Sequence, residues 1–307
     1  MRRGMTLVEL LVVMAISLVI AGGLFYAYTE IFRKGTSQVL VAKNEQEAQF
    51  LISTLVSELS SVGFGIDSSR LKITNLNDVQ NGSSLIAISN STVVFLSLAT
   101  RQNANIGCWG YVDSGGNLTT RARDYFGREC SIGNNTNCVC LEPLTKRCKT
   151  NNCIVQNCSD IMQNQNCRNA LAFDIGDNSY PNSFITRYYL YTSPTTSPLC
   201  APGTLTLMKR VGNDTAQPVV DCVGYFRVRY IYNDSTRYRD DVPNNDIKNL
   251  LGLRLCLLLQ MGGRQSVLLM DVPQLNATLC GNPNIQQEWR YYRWSAIEVD
   301  IPLKNIR

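Results

Sequence analysis

Residues 2–29 read RRGMTLVELLVVMAISLVIAGGLFYAYT, and this stretch decides the organisation of the chain. No charged residue occurs between Leu10 and Thr29, a length close to the ~20 apolar residues that cross the core of a bilayer. Arg2 and Arg3 precede the apolar run, and the positive-inside rule places the extreme N-terminus in the cytoplasm. The sequence therefore predicts one membrane-spanning helix, with most of the chain on the far side of the membrane.

Glu9 is a carboxylate within this apolar stretch, and a plain membrane anchor has no use for it. A charge at the centre of a membrane helix costs roughly 2.5–3.5 kcal/mol on insertion scales. Cleavage after Gly4 would leave a positive amine on Met5, and opposite charges attract strongly in a low dielectric. We expect that amine to pair with Glu9 of a neighbouring subunit, which would set the axial register of an assembly.

Two simpler interpretations of the segment stay open. The small residues Ala21-Gly22-Gly23 could form the cleavage site of an ordinary secretory signal, although the apolar run continues through Tyr28. Such processing would give a mature chain that starts near Leu24 instead of Met5. Glu9 could also be a residue near the interface that snorkels to water or is protonated.

The stretch from Arg2 to Val12 resembles the prepilin motif of type IV pilins and of type II secretion pseudopilins. In that family a prepilin peptidase cuts after the glycine and methylates the new N-terminus, which implies cleavage between Gly4 and Met5. The first mature residue is usually phenylalanine in the family, so Met5 is a departure. The resemblance implies that the chain is first inserted into the inner membrane and is then assembled into a cell-surface filament. Its implied partners are the pilus assembly platform and other pilin and minor pilin subunits.

The helix is predicted to continue well beyond the membrane, because apolar residues recur at helical spacing on the far side of Arg33 and Lys34. This stripe consists of Ala48, Leu51, Leu55, Leu59 and Val62, with Glu45, Gln46, Glu47 and Glu58 on other faces. We expect one helix from about Met5 to about Ser61, ended by Gly63 and Gly65. Residues 1–4 are then a leader, 5–32 the membrane and filament-core half, and 33–62 the amphipathic half.

Residues 63–307 are predicted to form an extracytoplasmic domain rich in β-strands. Two β-rich runs flank Asn90-Ser91 and indicate a hairpin. Alternation of apolar and polar residues is typical of half-buried antiparallel strands, and a helix packed on such a sheet gives an α+β fold. The candidate strands are Ser84–Ser89, Thr92–Leu98, Phe184–Tyr191, Thr204–Arg210, Tyr225–Tyr232, Leu251–Leu259 and Trp294–Ile301.

The twelve cysteines indicate disulfides formed in an oxidising compartment. The sequence contains no histidine, which excludes His-based nucleophilic triads and His-ligated metal sites. Eight fall within a loop-rich insertion at residues 103–167, where disulfides are expected to compensate for a small core: Cys108, Cys130, Cys138, Cys140, Cys148, Cys153, Cys158 and Cys167. Four more are expected to staple the sheet: Cys200, Cys222, Cys256 and Cys280. The pairing cannot be deduced from the sequence, and zinc or iron–sulfur binding is the alternative, although CxxC pairs are absent from the insertion.

Other residues point to binding hypotheses. Oxygen ligands in the loop Asp240 to Asp246 could hold calcium, but their spacing is not that of an EF-hand, and a solvated turn is the competing interpretation. The aromatic and basic run from Trp289 to Trp294 could stack on bases or sugars, or could simply contribute to the core. A net charge of +5 argues only weakly for nucleic acid.

No nucleophile–base pair or phosphate-binding loop is apparent, so we expect neither an enzyme nor a cofactor. The length of the chain, the run Arg187 to Tyr191, the strand around Phe226 and the closing strand resemble PilW-type minor pilins. The resulting hypothesis is a minor pilin that primes or caps a type IV pilus, because a tip subunit tolerates a large insertion. The alternatives are a J-type pseudopilin of a type II secretion system and a tip adhesin or DNA-uptake subunit.

Overall fold

The computed structural model describes residues 7–67, 70, 72–73, 76–100, 107–119, 121–124, 127–132, 136–149, 154–155, 157–176, 180–192, 197–234, 236–241, 247–269 and 271–306, with backbone alone at 9, 33–34, 36–44, 76 and 162. The chain forms two compact units, Met1–Gln49 and Phe50–Arg307. A long helix followed by a domain built on antiparallel sheet confirms the α+β prediction.

Helix α1 runs from Leu7 to Ser60. It ends in a turn at Gly63 and Gly65, whose φ angles of +82° and +73° lie in the left-handed region that favours glycine. A side chain at Gly65 would also collide with Leu98. The two glycines therefore end the helix, as the sequence predicted.

The larger sheet of the described chain has eight strands and is antiparallel throughout its named pairings. Its strands are β1 (Ile86–Ser89), β2 (Thr92–Leu96), β7 (Ile185–Tyr191), β8 (Leu205–Val211), β9 (Gln217–Tyr232), β10 (Tyr238–Arg239), β11 (Leu250–Gln260) and β12 (Trp294–Pro302). The path along the sheet is β1-β2-β7-β8-β9-β11-β12, with β10 paired to β9. A short helix, α2 (Leu76–Gln80), precedes β1.

The predicted hairpin is present between β1 and β2. Ser89 pairs with Thr92, so Asn90 and Ser91 form the two-residue loop. Asn90 has a φ of 47°, a left-handed conformation that asparagine tolerates better than most residues.

Strand β9 shows the predicted alternation of apolar and polar residues. Phe226, Val228 and Tyr230 are buried, whereas Arg227 and Arg229 alternate with them on the opposite face. The buried residues lie opposite three buried leucines of β11, namely Leu257, Leu255 and Leu253. One face of the sheet is therefore a continuous apolar layer.

The opposite face of β11 is covered by the segment before β12, which contains the short helix α3 (Ala277–Cys280). Leu258 and Cys256 pack there with Trp289 and Tyr292, while Arg290 is exposed. The indole N–H of Trp289 donates to the Pro202 carbonyl at 2.8 Å. The aromatic run that ends in Trp294 thus contributes mainly to the core.

A second, smaller sheet lies between β2 and β7 in the chain, and its four described strands follow the order β3-β6-β4-β5. They are β3 (Trp109–Val112), β4 (Asn137–Leu141), β5 (Ile154–Val155) and β6 (Ala170–Gly176). Its core combines cysteines with small and branched apolar residues, including Val112, Ile161 and Ala172. This sheet extends past residue 167 to Gly176, because β6 is the central strand that pairs with both β3 and β4.

Three chain segments converge just after the end of α1. The side-chain amide of Asn305 donates to the Ser60 carbonyl at 3.3 Å, and Arg147 Nε donates to the Asn305 carbonyl at 3.0 Å. The Gly65 N–H donates to the Lys146 carbonyl at 2.8 Å. The end of the helix is thereby tied to the loop after β4 and to the C-terminal residues.

Candidate membrane anchor and assembly site

The segment Leu10–Phe32 of α1 is long and apolar enough to cross a membrane, with a mean hydropathy of 2.4 and no part of it buried within the protein. Leu18 and Val19 are 74% and 76% exposed. Apolar side chains occupy every side of the helix here, and so large an apolar surface does not stay in water. Lipid or other protein chains must therefore cover it.

The residues predicted for processing and assembly lie at the start of this segment. Gly4 and Met5 are outside the residues that the structure describes, and Glu9 is described only as a backbone position in the first turns of α1. Their roles in cleavage, methylation and charge pairing stay predictions. The backbone shows that the helix has begun by Leu7, so Glu9 is a helical residue just before the apolar span.

The other end of α1 is held by a buried apolar stripe. Leu51 is 5% exposed, and Leu55, Leu59 and Val62 are fully buried. The three leucines recur every four positions, so they share one face of the helix, and Val62 follows in the turn just after it. The predicted stripe therefore packs within the outer domain.

Glu58 connects the same end of α1 to two strands of the larger sheet. Its carboxylate accepts a hydrogen bond of 2.5 Å from the Tyr188 hydroxyl on β7. The carboxylate also accepts a hydrogen bond of 2.6 Å from Lys209 Nζ on β8. This contact is an ion pair in which the side chain of Glu58 is 17% exposed and that of Lys209 is 24% exposed. The sequence pattern placed Glu58 only off the apolar stripe, so this three-residue contact is an addition from the structure.

The surroundings of Tyr188 strongly disfavour its ionised form. Burial of the ring raises the pKa of the phenol well above its usual value of ~10, and the negative charge of Glu58 raises that pKa further. Tyr188 is therefore protonated at neutral pH and donates its hydrogen bond to Glu58. Its ring stacks with Phe95 of β2 at a centroid distance of 6.5 Å, which fixes the donor in place.

Three arginines lie on the face of the larger sheet opposite the buried side chain of Phe226, and each of them is paired with carboxylates. Arg254 binds Glu298 and Asp300 of the adjacent strand, and Arg227 and Arg229 contact Asp240 at 2.8 and 3.1 Å. Asp240 was one of the candidate calcium ligands, but its carboxylate is engaged by these arginines. Asn244, Asn245 and Asp246 lie outside the described residues, and the described residues contain no cluster of three potential metal-ligating side chains.

Among the residues that the structure describes, ten of the cysteines predicted to form disulfides pair with one another in five bonds. Three bonds lie in the smaller sheet and its loops, Cys108–Cys130, Cys138–Cys158 and Cys140–Cys167, and two join parts of the larger sheet region, Cys200–Cys222 and Cys256–Cys280. Cys148 is also disulfide-bonded, and Cys153 lies outside the described residues. A sulfur held in a disulfide is not a thiolate, so these ten cysteines form covalent crosslinks and not the alternative metal site.

Taken together, the geometry defines a class of protein: an apolar helical anchor that continues into a disulfide-bonded α+β domain. Residues 1–25 match the family described as the prokaryotic N-terminal methylation motif. No curated protein and no solved structure matches the chain. The motif and the anchor support a type IV pilin-like or pseudopilin-like protein.

Proteins of this kind are structural subunits, which in general are processed by prepilin peptidase and assemble with other pilins. The apolar span and the motif fit a membrane-anchored chain that later enters a filament. The exposed surface of Leu10–Phe32 is consistent with both the membrane-anchored and the filament state. Lipid covers this surface in the membrane, and neighbouring subunits cover it in a filament.

Proposed function

We propose that this protein is a minor subunit of a type IV pilus. In this proposal the chain is inserted in the inner membrane with a cytoplasmic N-terminus, cut between Gly4 and Met5, and assembled by the pilus platform with other pilins and minor pilins. The observation that carries the proposal is the uncovered apolar span Leu10–Phe32, whose first part lies within the matched motif at residues 1–25.

The smaller sheet supports a position at the tip or in the priming complex. Its described part adds four strands and three disulfides to a domain that already contains the larger sheet. A subunit repeated many times around a narrow helical core is restricted to a compact domain, whereas a subunit present once per filament is not. We infer that the protein initiates or caps the filament, as the likeness to PilW-type minor pilins implies.

Glu9 is proposed to bind the Met5 amine of a neighbouring subunit. Each charge alone is costly in an apolar environment, and pairing offsets that cost. Removing one partner of a buried ion pair typically costs about 3–5 kcal/mol, because the other charge is left uncompensated. Assembly should therefore depend on Glu9, while membrane insertion should not.

The test compares Glu9→Leu with Glu45→Leu, which removes the same charge from an exposed position of α1 beyond the apolar span. The measurements are the amount of each variant in the membrane fraction and its co-purification with sheared filaments. We expect normal membrane levels for both and a loss of filament incorporation for Glu9→Leu alone. If the Glu9→Leu variant entered filaments normally, Glu9 would not guide assembly, and membrane anchoring would be the only supported role of this segment.

Two further measurements separate the alternatives. Intact mass of the mature protein decides between a chain that starts at Met5 and one that starts near Leu24, the product of ordinary signal cleavage. Imaging of a tagged chain on purified pili decides between tip and shaft. Absence from pili together with loss of protein secretion in a deletion strain would instead identify a J-type pseudopilin.

A further inference from the structure

Two arginines of the larger sheet face each other without a counter-charge. Arg187 on β7 and Arg210 on β8 are direct partners in the antiparallel register. Like charges directly opposite each other destabilise a strand pair. Within the described part of the chain neither guanidinium forms an ion pair. Arg187 is half-buried and Arg210 is exposed, so water weakens their repulsion, but no carboxylate of the described chain offsets it.

These arginines also line a cavity of about 290 Å³ beside α2. Three side-chain amides share that lining, those of Gln80, Asn182 and Asn213. Val94 and Ile185 supply apolar surface, and no carboxylate is among the described lining residues. The cavity thus combines two fixed positive charges with neutral amide donors and is large enough for a small anion with some of its water.

Other cations of the same sheet form ion pairs with carboxylates. Lys209, the neighbour of Arg210 in sequence, is paired with Glu58, and Arg227, Arg229 and Arg254 are all paired with carboxylates. An absence of counter-charge is therefore particular to the Arg187–Arg210 cavity. A guanidinium offers planar, directional donors that match the oxygens of a phosphate or sulfate group.

We propose that the cavity lined by Arg187 and Arg210 binds a tetrahedral oxyanion, a phosphate or sulfate group, with both guanidinium groups and the neighbouring amides as donors. The group arrives either as a free ion or as the terminal group of a small ester. The anion supplies the negative charge that the two strands lack, so binding stabilises the outer domain. This site is separate from the apolar span and does not depend on the role of the protein in a filament.

The experiment titrates inorganic phosphate into the full-length chain in a non-ionic detergent at constant ionic strength, followed by calorimetry and by the unfolding temperature. The variants are Arg187→Gln and Arg210→Gln. Arg293→Gln is the control, because it removes the same charge from an exposed residue that does not line the cavity. We expect saturable binding to the wild type and to the control, and binding about 10-fold to 100-fold weaker in each cavity variant.

The unfolding temperature keeps the proposal testable if a variant is altered in stability. Without phosphate, Arg210→Gln should unfold at the same temperature as the wild type or higher, since a repulsion is removed. Phosphate should then raise the unfolding temperature of the wild type and not that of Arg210→Gln. Equal stabilisation of both proteins, or no saturable binding to the wild type, would overturn the proposal.

A second titration with glycerol phosphate identifies the source of the group. Tighter binding of the ester than of inorganic phosphate points to a phosphoryl group carried on a larger molecule, and equal or weaker binding points to the free ion. Sulfate at the same concentration is expected to compete with phosphate. Failure of sulfate to compete would restrict the site to phosphate and its esters.

Discussion

The two ends of α1 meet opposite surroundings although they belong to one helix. Along Leu10–Phe32 none of the helix is buried, whereas Leu51, Leu55 and Leu59 are at most 5% exposed. The difference lies in how apolar residues are distributed around the helix axis. An apolar surface on all sides requires an outside partner, whereas an apolar stripe on one side is buried within the protein's own outer domain.

Replacing one leucine at each end gives the largest expected contrast. Leu55→Ala removes a fully buried side chain, and such changes typically destabilise a domain by about 2–5 kcal/mol. Leu18→Ala removes the same atoms from a residue that is 74% exposed and should leave the outer domain unchanged. Chemical unfolding of the full chain in detergent, followed by near-ultraviolet circular dichroism, measures both. Equal losses would show that the two ends are not independent.

Reduction of the disulfides should loosen the outer domain and spare the apolar span. Each crosslink that closes a loop of this size contributes roughly 2–4 kcal/mol by restricting the unfolded chain. The smaller sheet should respond most, because its core is small and includes the sulfurs of Cys138, Cys140, Cys158 and Cys167. Hydrogen exchange with and without reductant provides the measurement. Greater loss of protection in β9 and β11 than in β4 and β6 would contradict this ranking.

Glu58→Gln tests whether the outer end of α1 is held by charge as well as by apolar contact. The variant keeps the shape of the side chain but removes the charge that Tyr188 and Lys209 bind, and we expect a loss of about 1–3 kcal/mol. Glu45→Gln, at an exposed position of the same helix, is the matched control. Identical unfolding curves for Glu58→Gln and the control would mean that the apolar stripe suffices.

The smallest expected effect is a pH dependence above the ordinary pKa of tyrosine. The pKa of Tyr188 is raised on folding, so the stability that it contributes is complete below pH ~10 and declines as the pH rises further, by at most about 1.4 kcal/mol per pH unit. Tyr188→Phe should show a shallower decline between pH 10 and 11. The unfolding free energy of both proteins at pH 8, 10 and 11 would reveal it, and parallel curves would exclude Tyr188 as the source.

Much of the larger sheet could be predicted because its strands alternate in a period of two. Strands β7 and β12 differ by one residue at one end from the runs Phe184–Tyr191 and Trp294–Ile301, and β11 differs by one residue at each end from the run Leu251–Leu259. Strand β9 begins at Gln217 and not at Tyr225, because its first half pairs with β8 through register shifts and is only partly buried. A positive φ of 58° at Cys222 marks the same irregular stretch.

The smaller sheet and the Glu58 contact could not be predicted from local pattern. In β4, cysteines occupy positions that valine or leucine would normally fill, so its apolar character depends on disulfide partners distant in the chain. Glu58 bonds to residues 130 and 151 positions away, and helical spacing says only which face it occupies. The motif around Gly4 and Glu9, by contrast, depends only on residues that are close together in the sequence, so it can be recognised without the structure.

The convergence of chain segments after α1 has a mechanical consequence. A pull along the helix reaches the domain at Ser60, whose carbonyl is held by Asn305, which in turn is held by Arg147. Gly65, a few residues on, is bonded to Lys146. Tension on the end of the helix is therefore passed to the C-terminal residues and to the loop after β4 through hydrogen bonds, and not through the covalent chain alone.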